Sequence, residues 1–516
     1  MVSFVYSGTV LGLDSHIIRV ETDVSYGLPT FDMVGMLNSE VREAKERVKV
    51  ALKNNGYNMP PNRITVNLSP ADIRKSGTKF DLPIAVSLLI ALGEIKQESV
   101  NDTLMLGELG LDGELRFVRG VLPIAIKAKE SGIKRIVLPA SNAKEAAAIK
   151  GIDVYGMKSL ADAISFLKCE GDISESCFEK TLVDIDSLFN GDSEESDFDF
   201  NEINGQSELK RACVVAAAGF HHMLMVGPPG CGKTMVAKRI TSILPPLSYE
   251  ESLDVSMVHS VAGNIREYDS LVTKRPFIAP HHTITEQAFA GGGVIPKPGI
   301  ISLSHRGVLF LDEAVHFDRR VLEILRQPLE DKKIVICRNT GSFEYPTDFM
   351  LVAAINPCPC GYYPDKNRCR CNDIQIQKYI EKISGPILDR IDICVQTKRL
   401  EYNNLRPNNI AEESSEEMRR KIMVARSMQE ERFQGTPLRF NSEMNVKDIE
   451  KYCELSKKDE AFFERAFNTI NLTARSYHKI LKVARTLADL DESENIERVH
   501  LAEALNYRMT NLYERS

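Results

Sequence analysis

The sequence predicts an α/β protein, a parallel doubly wound sheet with a helical C-terminal lid, preceded by a separate α+β domain. Three observations carry that expectation. Short apolar runs such as Met223–Val226 and Val308–Leu311 alternate with stretches of helical spacing, as strands covered on both faces do. An acidic stretch with little apolar periodicity divides the chain near residue 170. Past residue 413, apolar residues recur only at helical intervals.

Taken in order, residues 3–10 and 16–22 read as paired strands. Residues 39–55 have helical spacing, with Val41, Ala44, Val48 and Leu52 on one face. A strand at 64–68, an apolar helix at 82–92, a helix at 123–131 and a strand at 133–139 follow, completing a first domain over 1–168. Residues 169–200, dominated by Asp and Glu, read as a solvated linker, with a charged helix near 179–189 as the alternative. The doubly wound domain is expected over 201–400, with a helix at 206–219 leading into the strand at Met223. Further strands are expected at 349–356 and within 387–397. Residues 401–516 hold helices expected at 413–433, 446–470 and 472–510.

Composition narrows the possibilities. Of 516 residues, 27% are charged and 43% hydrophobic, ordinary values for a soluble protein with room for several cores. No apolar run approaches a membrane span, and the start, MVSFVYSGTVLGLDSH, has no basic leader before an apolar core. A cytoplasmic location without membrane association is therefore expected. The 11 cysteines are scattered apart from one tight cluster, which in a reducing compartment means thiols and a metal rather than disulfides. A net charge of −7 argues against a broadly basic nucleic-acid surface. It leaves open a ring whose pore carries a few cations per subunit.

The chemistry concentrates after the linker. Gly227-Pro228-Pro229-Gly230-Cys231-Gly232-Lys233-Thr234 follows the strand at Met223 as a G-x-x-x-x-G-K-T phosphate loop. Its glycines let successive N–H groups curl round a phosphate, and the helix that starts there adds its positive end. Lys233 would reach the β- and γ-phosphates of ATP and Thr234 would hold Mg²⁺, while the Cys231 thiol is a bystander. Asp312 and Glu313 end the apolar run at Val308, one to help bind Mg²⁺ and one to orient an attacking water. Asn356 ends the strand at 349–356. Cys358, Cys360, Cys369 and Cys371 form two close pairs around a loop, a donor set that selects Zn²⁺. An iron–sulfur cluster or free thiols are the alternatives. Residues 332–348 read as a β-hairpin whose Lys332, Lys333 and Arg338 are candidate phosphate contacts. His281 and His282 invite a metal reading, but no carboxylate or thiol pattern lies near them, and a structural loop is preferred.

Two resemblances join these motifs. FDLPIAVSLLIALG (80–93) and GELGLDGELRFVRGVLPIAIKAKESGIKRIVLPASN (107–142) resemble the proteolytic domain of Lon-type proteases, a ribosomal-S5-like fold. Ile84 and Ile124 stand where the catalytic Ser and Lys of that family belong, so a scaffold or binding module is implied rather than a peptidase. The stretches at 201–234, 275–285, 307–338, 350–363 and 472–490 closely resemble the YifB/ComM family of magnesium-chelatase-like AAA+ ATPases. That resemblance implies an ATP- and Mg²⁺-dependent homo-hexameric ring. Asn356 is then the sensor 1 residue, Arg390 in GPILDRID the arginine finger, and Arg475 in LTARSYH the sensor 2 arginine. For ComM-type members it implies a helicase acting on single-stranded and branched DNA during recombination and competence. A chelatase motor and an ATPase switch without helicase activity are the other classes. Ala314-Val315-His316 departs from the Leu-Pro-Glu type of stretch usual after the acidic pair.

Overall fold

The computed structural model describes residues 2–169, 178–190, 198–293, 296–338, 341–398, 412–470 and 472–508. The N-terminal part is a seven-stranded mixed sheet. Its order is Thr30–Val34, Arg63–Ser69, Asp14–Ser25, Ser3–Leu11, Thr103–Met105, Arg135–Pro139, Asp153–Met157. Helices cover both faces. Ser39–Asn54 turns Val41, Ala44, Val48 and Leu52 inward and packs with Asp81–Ala91 on one face. Val121–Glu130 covers the other. Ile84 and Ile124 are both core residues. A Cβ at Gly8 would stand 2.4 Å from Ile124, so the strand presses directly on that side chain.

A five-stranded, all-parallel sheet builds the second part, in the order Phe277–Ile278, Val308–Leu311, Met350–Ile355, Met223–Val226, Ile393–Gln396. Alternate residues go to opposite faces. Met223, Met225, Val308 and Phe310 join the core shared with helices Ser207–Gly219 and Lys233–Ile243, while Leu224, Val226, Leu309 and Leu311 face the other core. Both faces are covered, so the three central strands are apolar throughout, while the edge strand ends in the exposed Gln396. The strand ending at Ile355 lies between the phosphate-loop strand and the acidic strand.

The C-terminal helices are more broken than the sequence predicts. Residues 446–470 form two helices, Val446–Tyr452 and Lys457–Thr469. Ser456 caps the second, and Leu455 bridges to Ile496 instead of continuing a helix. The stretch 472–510 likewise divides into Ala474–Leu490 and Arg498–Asn506, with Glu492 in the left-handed region at φ 54° between them. The helix Ser415–Arg432 starts at a capping box of Ser414 and Glu417, a signature legible in the sequence.

The expected solvated linker is the main correction to the fold. Residues 170–177 and 191–197 lie outside the described residues, and within the rest several apolar residues are docked although Leu182 stays exposed. Phe178 packs against the N-terminal core, and the Thr181 N–H bonds the Val154 carbonyl at 2.8 Å. Residues Ile185–Asn190 form a short helix, and the Phe189 ring meets Tyr249 edge-on at 6.5 Å. Phe200 is fully buried in the second core, its N–H bonded to Ser415 Oγ at 2.9 Å. Apolar anchors within the acidic stretch hold it down.

The two parts share a seam. Leu271 lies in the N-terminal core beside Val121, and Tyr249, Leu253 and Met257 pack on it. Ser260 Oγ donates to Glu145 Oε1 at 2.5 Å. Burial raises the Glu145 carboxyl above its ordinary pKa, and bonds from Ser260, Asn142 and the Leu122 N–H only partly offset that.

Candidate nucleotide site

The phosphate loop leaves the sheet where only glycine fits. A Cβ at Gly227 would stand 1.8 Å from Thr397 Oγ1, just past the neighbouring strand. Gly230 and Gly232 have φ of 77° and 90°, the left-handed region. Gly232 is the N-cap of Lys233–Ile243 and brings no side chain, so the first-turn N–H groups of that helix face the loop. Pro228 and Pro229 complete the curl. The Cys231 thiol is buried, 2.8 Å from Thr397 Oγ1 and 3.7 Å from Lys233 Nζ. Gln206, which the sequence did not single out, braces the loop from behind by donating to the carbonyls of Cys231 (3.3 Å) and Lys398 (2.6 Å).

Four of the expected side chains converge. Lys233 Nζ lies 2.6 Å from the Gly227 carbonyl, 3.0 Å from that of Pro228 and 3.3 Å from Asn356 Oδ1. Thr234 Oγ1 donates to Asp312 Oδ2 at 2.7 Å. A hydroxyl beside a carboxylate at the end of a phosphate loop is a donor set that suits Mg²⁺. Glu313 follows with φ 48°, a conformation that costs a residue other than glycine about 1 kcal/mol. Its N–H bonds Asp312 Oδ1 at 3.0 Å and its side chain is exposed at the mouth of the site. Tyr379 was not anticipated either. Burial, and then the charge of Glu313, push its hydroxyl up to about 12, while the Asn356 N–H donates to its oxygen.

Arg390 and Arg475 are elsewhere. Arg390 precedes the strand Ile393–Gln396, and the neighbouring Asp392 N–H bonds the carbonyl of His222, just before the phosphate-loop strand begins. Both therefore sit at the amino ends of the parallel strands, whereas Lys233 follows the carboxyl end. Four strand residues alone separate the two levels by about 13 Å. Arg390 donates to the Pro386 carbonyl at 2.6 Å and pairs with Glu330. Arg475 lies 3.7 Å from Asp389. Both arginines line a pocket of ≈ 400 Å³ with Lys332, Lys479 and Lys482.

The cysteines converge as expected. All four Sγ atoms lie within 4.8 Å of one another, with Cys358–Cys360 at 3.3 Å, Cys360–Cys369 at 3.5 Å and Cys358–Cys369 at 3.7 Å. Zinc–sulfur bonds of about 2.3 Å at tetrahedral angles put sulfurs about 3.8 Å apart, so the set fits a tetrathiolate zinc. Burial raises the Cys360 thiol, but donors from the Tyr362 N–H, Cys358 and the Arg370 N–H outweigh it and draw it down to about 6. The loop abuts the nucleotide site. A Cβ at Gly361 would stand 2.7 Å from Pro229, and Tyr362, Tyr363 and Arg368 share a cavity of ≈ 310 Å³ with Gly227 and Pro228.

The hairpin forms from Lys333–Arg338 and Gly341–Pro346, but its cations are not equivalent. Lys332 is engaged by Glu443 at 2.6 Å and Asp348 at 3.3 Å, so it braces the lid and is not a free phosphate contact. Lys333 pairs across the hairpin with Glu344 at 3.0 Å. Arg338 is exposed and has no acidic partner among the described residues. The rings of His281 and His282 stack 4.1 Å apart, with His281 bonded to Thr283 Oγ1 at 2.8 Å. Among the described residues the four cysteines are the one group of three or more ligand residues close enough to hold a metal. No helix of the described residues is long and apolar enough to cross a membrane.

Family models agree with this arrangement along the chain. The model for magnesium chelatase, subunit ChlI, matches residues 199–405, that for the subunit ChlI of Mg-chelatase residues 20–142, and that for its C-terminal region residues 412–508. The competence protein ComM of Haemophilus influenzae is 40% identical over 506 residues, 98% of this chain and 97% of that protein. YifB of Escherichia coli is 38% identical over the same share of each chain. A magnesium-chelatase 38 kDa subunit of Cereibacter sphaeroides is 24% identical over 176 residues, 31% of this chain and 53% of that protein. The chain belongs to the YifB/ComM family of magnesium-chelatase-like AAA+ ATPases.

Proposed function

We propose that the protein is a ring-forming, Mg²⁺-dependent ATPase that moves strands of branched DNA in the cytoplasm. The observation that carries the reading is the split of the ATPase residues between opposite ends of one parallel sheet. Lys233, Thr234, Asp312, Glu313 and Asn356 stand at the carboxyl end, Arg390 and Arg475 at the amino end. An arginine so placed works on a nucleotide held by a neighbouring copy, and a closed ring gives every site such a neighbour. Six-fold closure is the form the family resemblance implies. The ComM relative bears the name of a competence protein, which favours DNA as the partner.

In this reading the loop N–H groups and Lys233 hold the β- and γ-phosphates. Mg²⁺, held by Thr234 and Asp312, would draw charge from the phosphate oxygens. Glu313 orients the attacking water from its fixed left-handed backbone, and Asn356 holds the γ-phosphate end beside Lys233. Arg390 of the adjacent copy stabilises the charge of the transition state, an effect of about 10³–10⁵ in rate. Zinc at Cys358, Cys360, Cys369 and Cys371 would fix the loop that follows Asn356. The N-terminal part is a Lon-like fold without peptidase chemistry, since the aliphatic Ile84 and Ile124 are sealed in its cores. ATP hydrolysis measured with and without a forked oligonucleotide, beside strand displacement from a three-stranded junction, tests the proposal. Stimulation by DNA and ATP-dependent displacement are expected. A hexamer that neither binds DNA nor hydrolyses ATP faster in its presence removes the helicase and leaves an ATPase switch.

A further inference from the structure

A cleft of ≈ 910 Å³ separates the start of helix Ser39–Asn54 from the small ladder of Gly291–Gly292 with Lys297–Pro298. Arg42, Lys45 and Arg74 stand on the N-terminal wall, and Gly292, Gly293 and Lys297 on the other. The cleft also carries two acids. Glu46 lies 3.8 Å from Lys45, and Glu43 lies 3.9 Å from Arg47, whose guanidinium is already bound by Asp81 at 2.6 and 2.9 Å. Arg74 donates to Asn38 Oδ1 at 2.6 Å. Arg42 and Lys297 are exposed and form no ion pair among the described residues.

The cleft is continuous with the hairpin. A Cβ at Gly292 would stand 2.8 Å from Nη2 of Arg338, so the free hairpin cation lies on a residue that lines the cleft. Phe343, on the second hairpin strand, sits against Gly12 in the first turn of the N-terminal part, where a Cβ would be 3.0 Å from its ring. Gly292 and Gly293, at φ of 140° and 110°, leave that wall without side chains, so an extended ligand can approach the backbone closely. Arg338, Lys297 and Arg42, none with an acidic partner among the described residues, thus line one path crossing from the second part to the first, in a chain whose net charge is −7.

We propose that this cleft holds the phosphodiester backbone of a single nucleic-acid strand as it passes the hairpin, and that the N-terminal part guides the strand. The inference rests on the DNA reading above. Cations without partners gain most from phosphate, because no internal pair has to be broken. Contact is to the backbone, so binding is indifferent to base sequence.

The test uses the full-length protein and a fluorescein-labelled oligothymidylate, followed by anisotropy across a salt series with a non-hydrolysable ATP analogue. Arg42→Ala/Lys297→Ala should bind more weakly, with the slope of log affinity against log salt shallower by about 1.4, two single-strand phosphate contacts at about 0.7 each. Arg42→Glu/Lys297→Glu should weaken binding at least about ten-fold at low salt. Basal ATPase without DNA should match the wild type for both variants, showing that the fold and ring are intact. If the wild type binds and both variants keep its affinity and slope, the cleft is not on the strand path, while the DNA reading stands. If the wild type itself does not bind the oligonucleotide, both fail.

Discussion

Arg390 already has a partner in its own chain. Its guanidinium is held by Glu330 and the Pro386 carbonyl, so service at a neighbour's phosphate requires Glu330 to be exchanged for that phosphate. Glu330→Gln removes the competing charge, and basal turnover should rise several-fold, measured as phosphate release at saturating ATP. Arg390→Ala should lower it by about 10³ or more. Equal rates for wild type and the Gln variant would leave Glu330 without influence on the finger. At the acidic pair, Glu313→Gln keeps the Thr234–Asp312 contact, and so the Mg²⁺ donors, but loses the group that orients water. Nucleotide affinity by calorimetry should be unchanged and kcat should fall by about 10²–10⁴. Lys233→Ala should lose affinity. The residues of this site were legible because a phosphate loop and an acidic strand are set by local spacing. Lys332 was not. Its partner Glu443 lies 111 residues away, and nothing in the run Asp331-Lys332-Lys333 distinguishes a bracing lysine from an exposed one.

At the scale of elements, the cysteine loop is where a metal and the nucleotide site meet. Only Pro357 separates Asn356 from Cys358, and Gly361 rests on Pro229, so the loop's shape sets the position of both sensor and phosphate loop. Metal analysis of protein purified without added metal should give about one zinc per chain. Cys358→Ser/Cys369→Ser should abolish it, and nucleotide affinity should fall with it although none of the four cysteines belongs to the phosphate loop. Undiminished zinc in that variant would place the metal elsewhere. The loop was predictable because four thiols at close spacing admit few arrangements. The breaks in the C-terminal helices were not, because Leu455 leaves its helix for a bridge to Ile496, a contact between segments 41 residues apart. Helical spacing continues across both breaks, and the capping Ser456 looks like any polar face residue.

At the scale of the molecule, the sequence resolved the parts but not how they meet. The acidic stretch reads as a solvated divider, yet Phe178, Phe189 and Phe200 dock on three different surfaces, and Leu271 completes a core begun 150 residues earlier. Isolated apolar residues in a charged segment carry no periodicity, so their destinations are set by tertiary packing alone. Assembly follows from the same whole-chain geometry. Arg390 and Arg475 share one edge, and the phosphate loop lies at the other end of the strands, so a complete site spans two copies. Arg390→Ala and Lys233→Ala should each be nearly inactive alone. In rings mixed at equal amounts, a Lys233 supplied by one variant meets an Arg390 supplied by the other at roughly a quarter of the junctions. Hydrolysis should therefore recover to about that fraction of wild type, and the recovery should disappear at dilutions where light scattering shows single chains. Mixed rings that form but stay inactive would mean that Arg390 serves its own chain, which would require the Glu330 pair to break and the turn before the strand at Ile393 to move towards Lys233.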